Sequence, residues 1–109
     1  KALQVVLEYG EKGMDIVINY GQKGIDLVLE YGTAAVDAIT DFGKDALDII
    51  SEFGRDALDI IDAVRKFGSD TVRKCLSAIK SFGNAAISAI KGAMNIGKTA
   101  LEWALRPFT

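Results

Sequence analysis

Three features of the chain predict an all-α fold. An aromatic residue followed by glycine recurs every eleven residues, at Tyr9-Gly10, Tyr20-Gly21, Tyr31-Gly32, Phe42-Gly43 and Phe53-Gly54. The only proline is Pro107, so residues 1–106 contain no obligatory helix breaker. No run alternates polar and apolar residues in the way a half-buried strand would. Eleven residues are close to three turns of α-helix, and such a period lays a chemical stripe nearly straight along one rod. The expected architecture is therefore a long amphipathic hendecad helix, continuous or bent near residues 66–70, assembled into a coiled coil, helical bundle or filament.

The first part of the rod is defined by what each repeat position requires. With the aromatic as position one, position six holds Met14, Ile25, Val36, Leu47 and Leu58, and position nine holds Val17, Val28, Ile39, Ile50 and Ile61. Position eight holds Ile16, Leu27, Ala38, Ile49 and Ile60. At about 98° per residue, positions one, two, five, six, eight and nine fall within one arc of roughly 165°. One side of the helix is thus apolar throughout.

Position seven is aspartate in every strict repeat, at Asp15, Asp26, Asp37, Asp48 and Asp59, and Asp70 keeps the phase. These carboxylates run down the centre of the polar face. A cation-lined lumen is one use for such a line. A solvated stripe is the plainer one, since Lys12, Lys23, Lys44 and Arg55 precede an aspartate by three or four residues and can pair along the same helix. Successive aspartates are about 16 Å apart on a continuous helix, too far for two of them to hold one ion.

The middle of the apolar arc is small, with glycine at position two and Gly13, Gly24, Ala35, Ala46 and Ala57 at position five. Glycine inside a helix costs about 1 kcal/mol relative to alanine, so regular glycines need an offsetting gain. Close helix packing supplies one. An alternative is that each glycine ends a short helix. Thr33, Ser69 and Asn84 would then cap the next helix well, but Glu11, Gln22, Lys44, Arg55 and Lys98 are poor caps. Continuity is expected, with the best place for a break at Lys66 to Asp70.

Beyond Phe53 the repeat lengthens. The pairs Phe67-Gly68 and Phe82-Gly83, and the echo Ile96-Gly97, follow at spacings of 14, 15 and 14. These spacings predict a nearly straight or weakly left-handed course after a slightly right-handed first half. Charge changes in the same region. Residues 1–63 carry 13 acids and 5 bases, net −8, whereas residues 64–109 carry 2 acids and 8 bases, net +6. The chain divides accordingly into an acidic segment of strict repeats, 1–63, and a basic segment, 64–109. An antiparallel hairpin, or pairing with a neighbouring copy, would neutralise both. The basic half is too sparse, and too poor in base-stacking surface, for a nucleic-acid partner.

The last segment, Lys98 to Thr109, places Leu101, Trp103, Leu105 and Phe108 around Arg106. It reads as a capping contact of a helical bundle, with a membrane-interface anchor as the alternative. Cys75 falls among Val72, Leu76 and Ile79 and reads as a small buried hydrophobe. The longest uncharged stretch, the ten residues from Ser81 to Ile90, is far short of the roughly 20 apolar residues of a spanning helix. A first residue of lysine, with no cleavable hydrophobic leader after it, predicts a processed product or a fragment.

Catalysis finds little to work with. There is no histidine for a Ser-His or Cys-His pair, and a single cysteine excludes a thiolate metal cluster within one chain. Gly97-Lys98-Thr99 is the nearest approach to a phosphate-binding loop, but no strand precedes it, and it reads as chance. No enzyme activity, cofactor or metal is expected.

The aromatic positions Tyr9, Tyr20, Tyr31, Phe42 and Phe53 resemble those of hendecad coiled coils, including the tape-measure proteins of phage-like tails. The resemblance is strict over residues 9–63 and loose beyond. It implies a structural, self-associating helix. The eleven-residue period also resembles the lipid-surface helices of perilipins, synucleins and apolipoproteins. Those carry lysines beside a modest apolar face, whereas here the first half is acidic and its apolar face is dense.

The sequence thus predicts a non-enzymatic structural protein that assembles with copies of itself. The expected helix-packing interface is Tyr9, Gly10, Tyr20, Gly21, Tyr31, Gly32, Phe42, Gly43, Phe53, Gly54, Phe67, Gly68, Phe82 and Gly83, with the Asp15 to Asp70 stripe in water. The alternative is a membrane-active protein whose helices coat lipid or line a pore with the aspartates.

Overall fold

The computed structural model describes residues 1–108; Thr109 lies outside the described residues. The described elements are all helical: α1 (Ala2–Tyr31), α2 (Thr33–Phe42), α3 (Lys44–Phe53), α4 (Arg55–Val64), a 3-10 turn (Arg65–Phe67), α5 (Ser69–Phe82), α6 (Asn84–Met94), α7 (Lys98–Leu105) and a 3-10 turn (Arg106–Phe108). The all-α expectation holds.

The continuous helix does not. At Gly10, Gly21, Gly32, Gly43, Gly54 and Gly83 the backbone takes φ of 60° to 71° with ψ of −130° to −145°. This is the mirror image of the extended region, and glycine enters it freely because it has no Cβ. Even α1 consists of three pieces, residues 2–9, 11–20 and 22–31, separated by such turns. The break expected at Lys66 to Asp70 is present, with Gly68 at φ 103°, but it is one of a series. The supercoiled courses expected for the two halves are absent for the same reason.

The capping objection to short helices fails because glycine occupies the cap itself. The Gly32 amide donates to Val28 O at 2.8 Å and the Gly43 amide to Ile39 O at 2.8 Å, completing the helix before. The carbonyls of the same glycines accept from Val36 N at 3.2 Å and Leu47 N at 3.1 Å, opening the helix after. Gly83 does both, toward Ile79 O and from Ile87 N. Lys44 and Arg55 are therefore the first residues inside their helices, where no side-chain cap is required. Eleven residues are ten of helix plus one of turn.

The chain forms two compact units, Lys1–Glu52 and Phe53–Thr109. Within the first, the three pieces of α1 meet in succession through the small residue at position five. A Cβ on Gly13 would stand 2.5 Å from the Val5 carbonyl oxygen, and one on Gly24 would stand 2.7 Å from Ile16 Cγ2. Position eight of one repeat thus seats on position five of the next. The helix after that is reached by the aromatic. The Tyr9 hydroxyl lies 3.6 Å from where a Cβ on Gly32 would stand, and the Tyr20 hydroxyl 3.7 Å from the same point at Gly43.

The second unit keeps this rule at one turn, while nothing lies within 4 Å of the corresponding point at Gly68 or Gly97. Phe53 places its ring edge, Cζ, 3.6 Å from the Cβ position of Gly83, again two turns on. The added residues form whole turns: Arg65–Phe67 extends α4 by a 3-10 turn, and α5 has 14 residues where α2 to α4 have 10. Insertions of about one turn leave the facing of each helix unchanged. The core is the arc read from the sequence: Ala35, Val36, Ala38 and Ile39 in α2, Ala46, Leu47, Ile49 and Ile50 in α3, and Ala57, Leu58, Ile60 and Ile61 in α4 are all buried. The compositional boundary after residue 63 lies inside the second unit, where Lys91 of the basic segment pairs with Asp56 of the acidic one.

Two glycine substitutions separate turn from helix. Gly43→Ala has room for its methyl beside Tyr20 but must hold φ near 71°, and is expected to cost about 1–3 kcal/mol. Gly92→Ala, inside α6 with open space around it, is expected to gain about 0.5–1 kcal/mol. Urea unfolding of both variants measures the contrast, and equal shifts of the same sign would contradict a turn at Gly43.

Candidate interaction surface

The polar stripe is where the sequence places it, and its partners are different. Asp15, Asp26, Asp59 and Asp70 are exposed, and Asp37 and Asp48 are partly so. Lys12 pairs with Asp37 at 3.5 Å and Lys23 with Asp48 at 3.1 Å, both across 25 residues. Position four of one repeat therefore meets position seven two repeats later, rather than an aspartate on its own helix. These pairs are half in water and contribute little stability each, but they follow the same two-repeat rule as the aromatics. Asp26 accepts from Gln22 Nε2 at 2.7 Å.

The residues read as an intermolecular seam are engaged inside each unit. Gly10, Gly21, Gly32, Gly43, Gly54, Gly68 and Gly83 are turn residues, and Tyr9, Tyr20, Tyr31, Phe42, Phe53 and Phe67 are half-buried. Phe82 differs in being 50% exposed. Its ring packs on Phe108 with centroids 5.1 Å apart. In the C-terminal segment Leu101 and Leu105 are buried, while Trp103 faces water under the Arg106 guanidinium at 3.9 Å.

What remains uncovered is a strip near the start of the chain. Leu3, Leu7, Met14 and Ile18 are 69%, 76%, 46% and 72% exposed. Leu3 and Met14 occupy position six, which is buried in Ile25, Val36, Leu47 and Leu58. Position six is thus covered in the four later repeats and open in these two. Leu7, Ile18 and the partly exposed Leu29 share position ten, which continues as Thr40, Ser51 and Asp62. Position ten lies outside the apolar arc, and its drift from aliphatic to polar was the signal for this strip in the sequence.

Other candidate chemistry is absent among the described residues. No three Cys, Asp or Glu side chains converge as a metal site, and no helix is long and apolar enough to cross a membrane. Gly92, Gly97, Lys98 and Thr99 fit the GxxxxGK[ST] spacing in full, closer than the sequence reading of Gly97-Lys98-Thr99 allowed. Gly92 lies within α6, however, and the Ile96 and Gly97 amides are both directed at Ala93 O. No strand-to-helix loop of free amides is formed there.

Cys75 is fully buried, and burial pushes its thiol up to about 12. No family model, curated protein or solved structure matches the chain.

The thiol supplies a test of this packing. Cys75 should not react with a soluble disulfide reagent in the native protein at pH 8 and should react fully in denaturant. Because the folded state holds the proton more tightly, the stabilisation is complete below the ordinary value of 9.0 and declines between there and about 12. Wild type should lose up to about 1.4 kcal/mol per pH unit relative to Cys75→Ala across that window.

Proposed function

We propose that the chain is a non-enzymatic structural protein that assembles with copies of itself into rods or filaments. The observation that carries this reading is the uncovered strip Leu3, Leu7, Met14 and Ile18. Repeat proteins bury their apolar faces against neighbouring repeats and need polar capping repeats to remain soluble and apart. Here two neighbouring repeats hold Leu3, Leu7, Met14 and Ile18 in water. Large exposed aliphatic side chains gathered in one part of a folded protein suit an interaction site.

The proposed assembly differs from a side-by-side coiled coil. The face that a coiled coil would use is occupied by the chain's own next helices, so contact between copies falls to the uncovered repeats. Trp103 beneath Arg106 gives a second, lipid-facing reading some support, since such a pair suits a membrane interface.

Sedimentation velocity over a range of concentrations tests the proposal. Wild type should show concentration-dependent association, and Leu7→Glu and Ile18→Glu should each weaken it by tenfold or more with unchanged helical circular dichroism. A wild type that stays monomeric at every concentration, yet releases dye from anionic liposomes, would replace self-assembly with the lipid reading.

A further inference from the structure

We propose that the second unit carries a binding cleft for a phosphate group, lined by Lys74, Thr99, Glu102, Trp103, Leu105 and Arg106. The site is independent of self-assembly and, Leu105 apart, is made of side chains that stand outside the core. Its volume is about 490 Å³, within the range of roughly 300–1,000 Å³ that small-molecule sites occupy.

The spacing of residues along the chain builds the cleft. Thr99, Glu102, Trp103 and Arg106 stand at i, i+3, i+4 and i+7, which is one face of α7 and the turn after it. Leu105 is buried and supplies an apolar lining. Lys74 comes from α5, where it is exposed while its neighbours Cys75 and Leu76 are buried. Two cations, a hydroxyl, one carboxylate and an indole therefore share one depression.

Lys74 and Arg106 outnumber Glu102, so the cleft favours an anion. Residues 53–109 as a whole carry 9 bases and 5 acids, net +4, which raises the local concentration of anions. Arg106 is held in place, with its guanidinium carbon 3.9 Å from the centroid of the Trp103 ring. Stacking uses the face of a guanidinium, whereas its N–H donors lie in its plane, in the fork that suits two oxygens of one phosphate. Lys74 adds a point charge and Thr99 a hydroxyl donor, so a group with three acceptor oxygens matches the set better than a carboxylate does. Trp103 is 61% exposed although Leu101 and Leu105 of the same helix are buried, so its service is to this surface rather than to the core. Thr99 belongs to Gly97-Lys98-Thr99, which forms no cradle of amides, and side chains alone would hold the phosphate here. Glu102 limits affinity, because its carboxylate repels the same anion.

Trp103 is the only tryptophan of the chain, so its fluorescence reports on the cleft directly. The probes are inorganic phosphate, with potassium chloride at matched ionic strength as the blank, and phosphatidylcholine vesicles with and without phosphatidic acid. A saturable change in Trp103 emission is expected with at least one phosphate probe and with neither blank. Response to inorganic phosphate assigns the cleft to soluble phosphates, and response confined to phosphatidic acid assigns it to a lipid headgroup. Lys74→Gln and Arg106→Gln should each weaken binding tenfold or more with unchanged helical circular dichroism, and Glu102→Gln should tighten it. Lys66→Gln, which removes a cation of the same unit outside the cleft, should leave it within twofold. No saturable change with either phosphate probe, or equal weakening by Lys66→Gln and Lys74→Gln, overturns the site.

Discussion

The structure depends on one contact: an aromatic side chain laid over a glycine turn two repeats further along. The turn must be glycine twice over. Its φ is positive, which L side chains resist, and its missing side chain leaves the space into which Tyr9 or Tyr20 reaches. Placing the aromatic directly before its own glycine lets one repeat be both donor and receiver of the contact, which is made at Gly32, Gly43 and Gly83. Helices of ten residues, too short to be stable alone in water, are thereby held by packing against other repeats.

Much of this was legible in the residues. The apolar arc, the small position five and the outward aspartates follow from helical geometry, and the side chains of Ala35, Ile50, Leu58 and Ile61 are buried where the period puts them. The breaks were not legible, because eleven residues fit two architectures equally well. Three turns of continuous helix and ten residues plus a turn give the same spacing and nearly the same face. The deciding detail is whether Glu11 or Gln22 stands at the cap or one place inside it. Glycine as its own cap moves them inside, and their poor capping chemistry ceases to count.

The ion pairs show the same ambiguity resolved by packing. Lys12 precedes Asp15 by three residues and Asp37 by 25, and sequence spacing favours the near one. Short helices stacked two repeats apart bring Asp37 close instead. The period fixes which residues face alike, but not which of the equivalent partners a side chain meets; that depends on how the chain turns between repeats. The longer repeats after Phe53 illustrate the tolerance of the scheme, since an added turn in α5 changes helix length without changing which face looks inward.

A repeat contact has no intrinsic end. A repeat protein stays apart from its copies by making its terminal surfaces polar. Position ten shows that polar residues fit the scheme, since Thr40, Ser51 and Asp62 occupy it in the later repeats. The first repeats place Leu7 and Ile18 there, with Leu3 and Met14 beside them. Solvation alone gives no reason for four aliphatic side chains to stand exposed in two neighbouring repeats. Four aliphatic side chains held in water by a folded chain are the observation on which the proposed self-assembly rests.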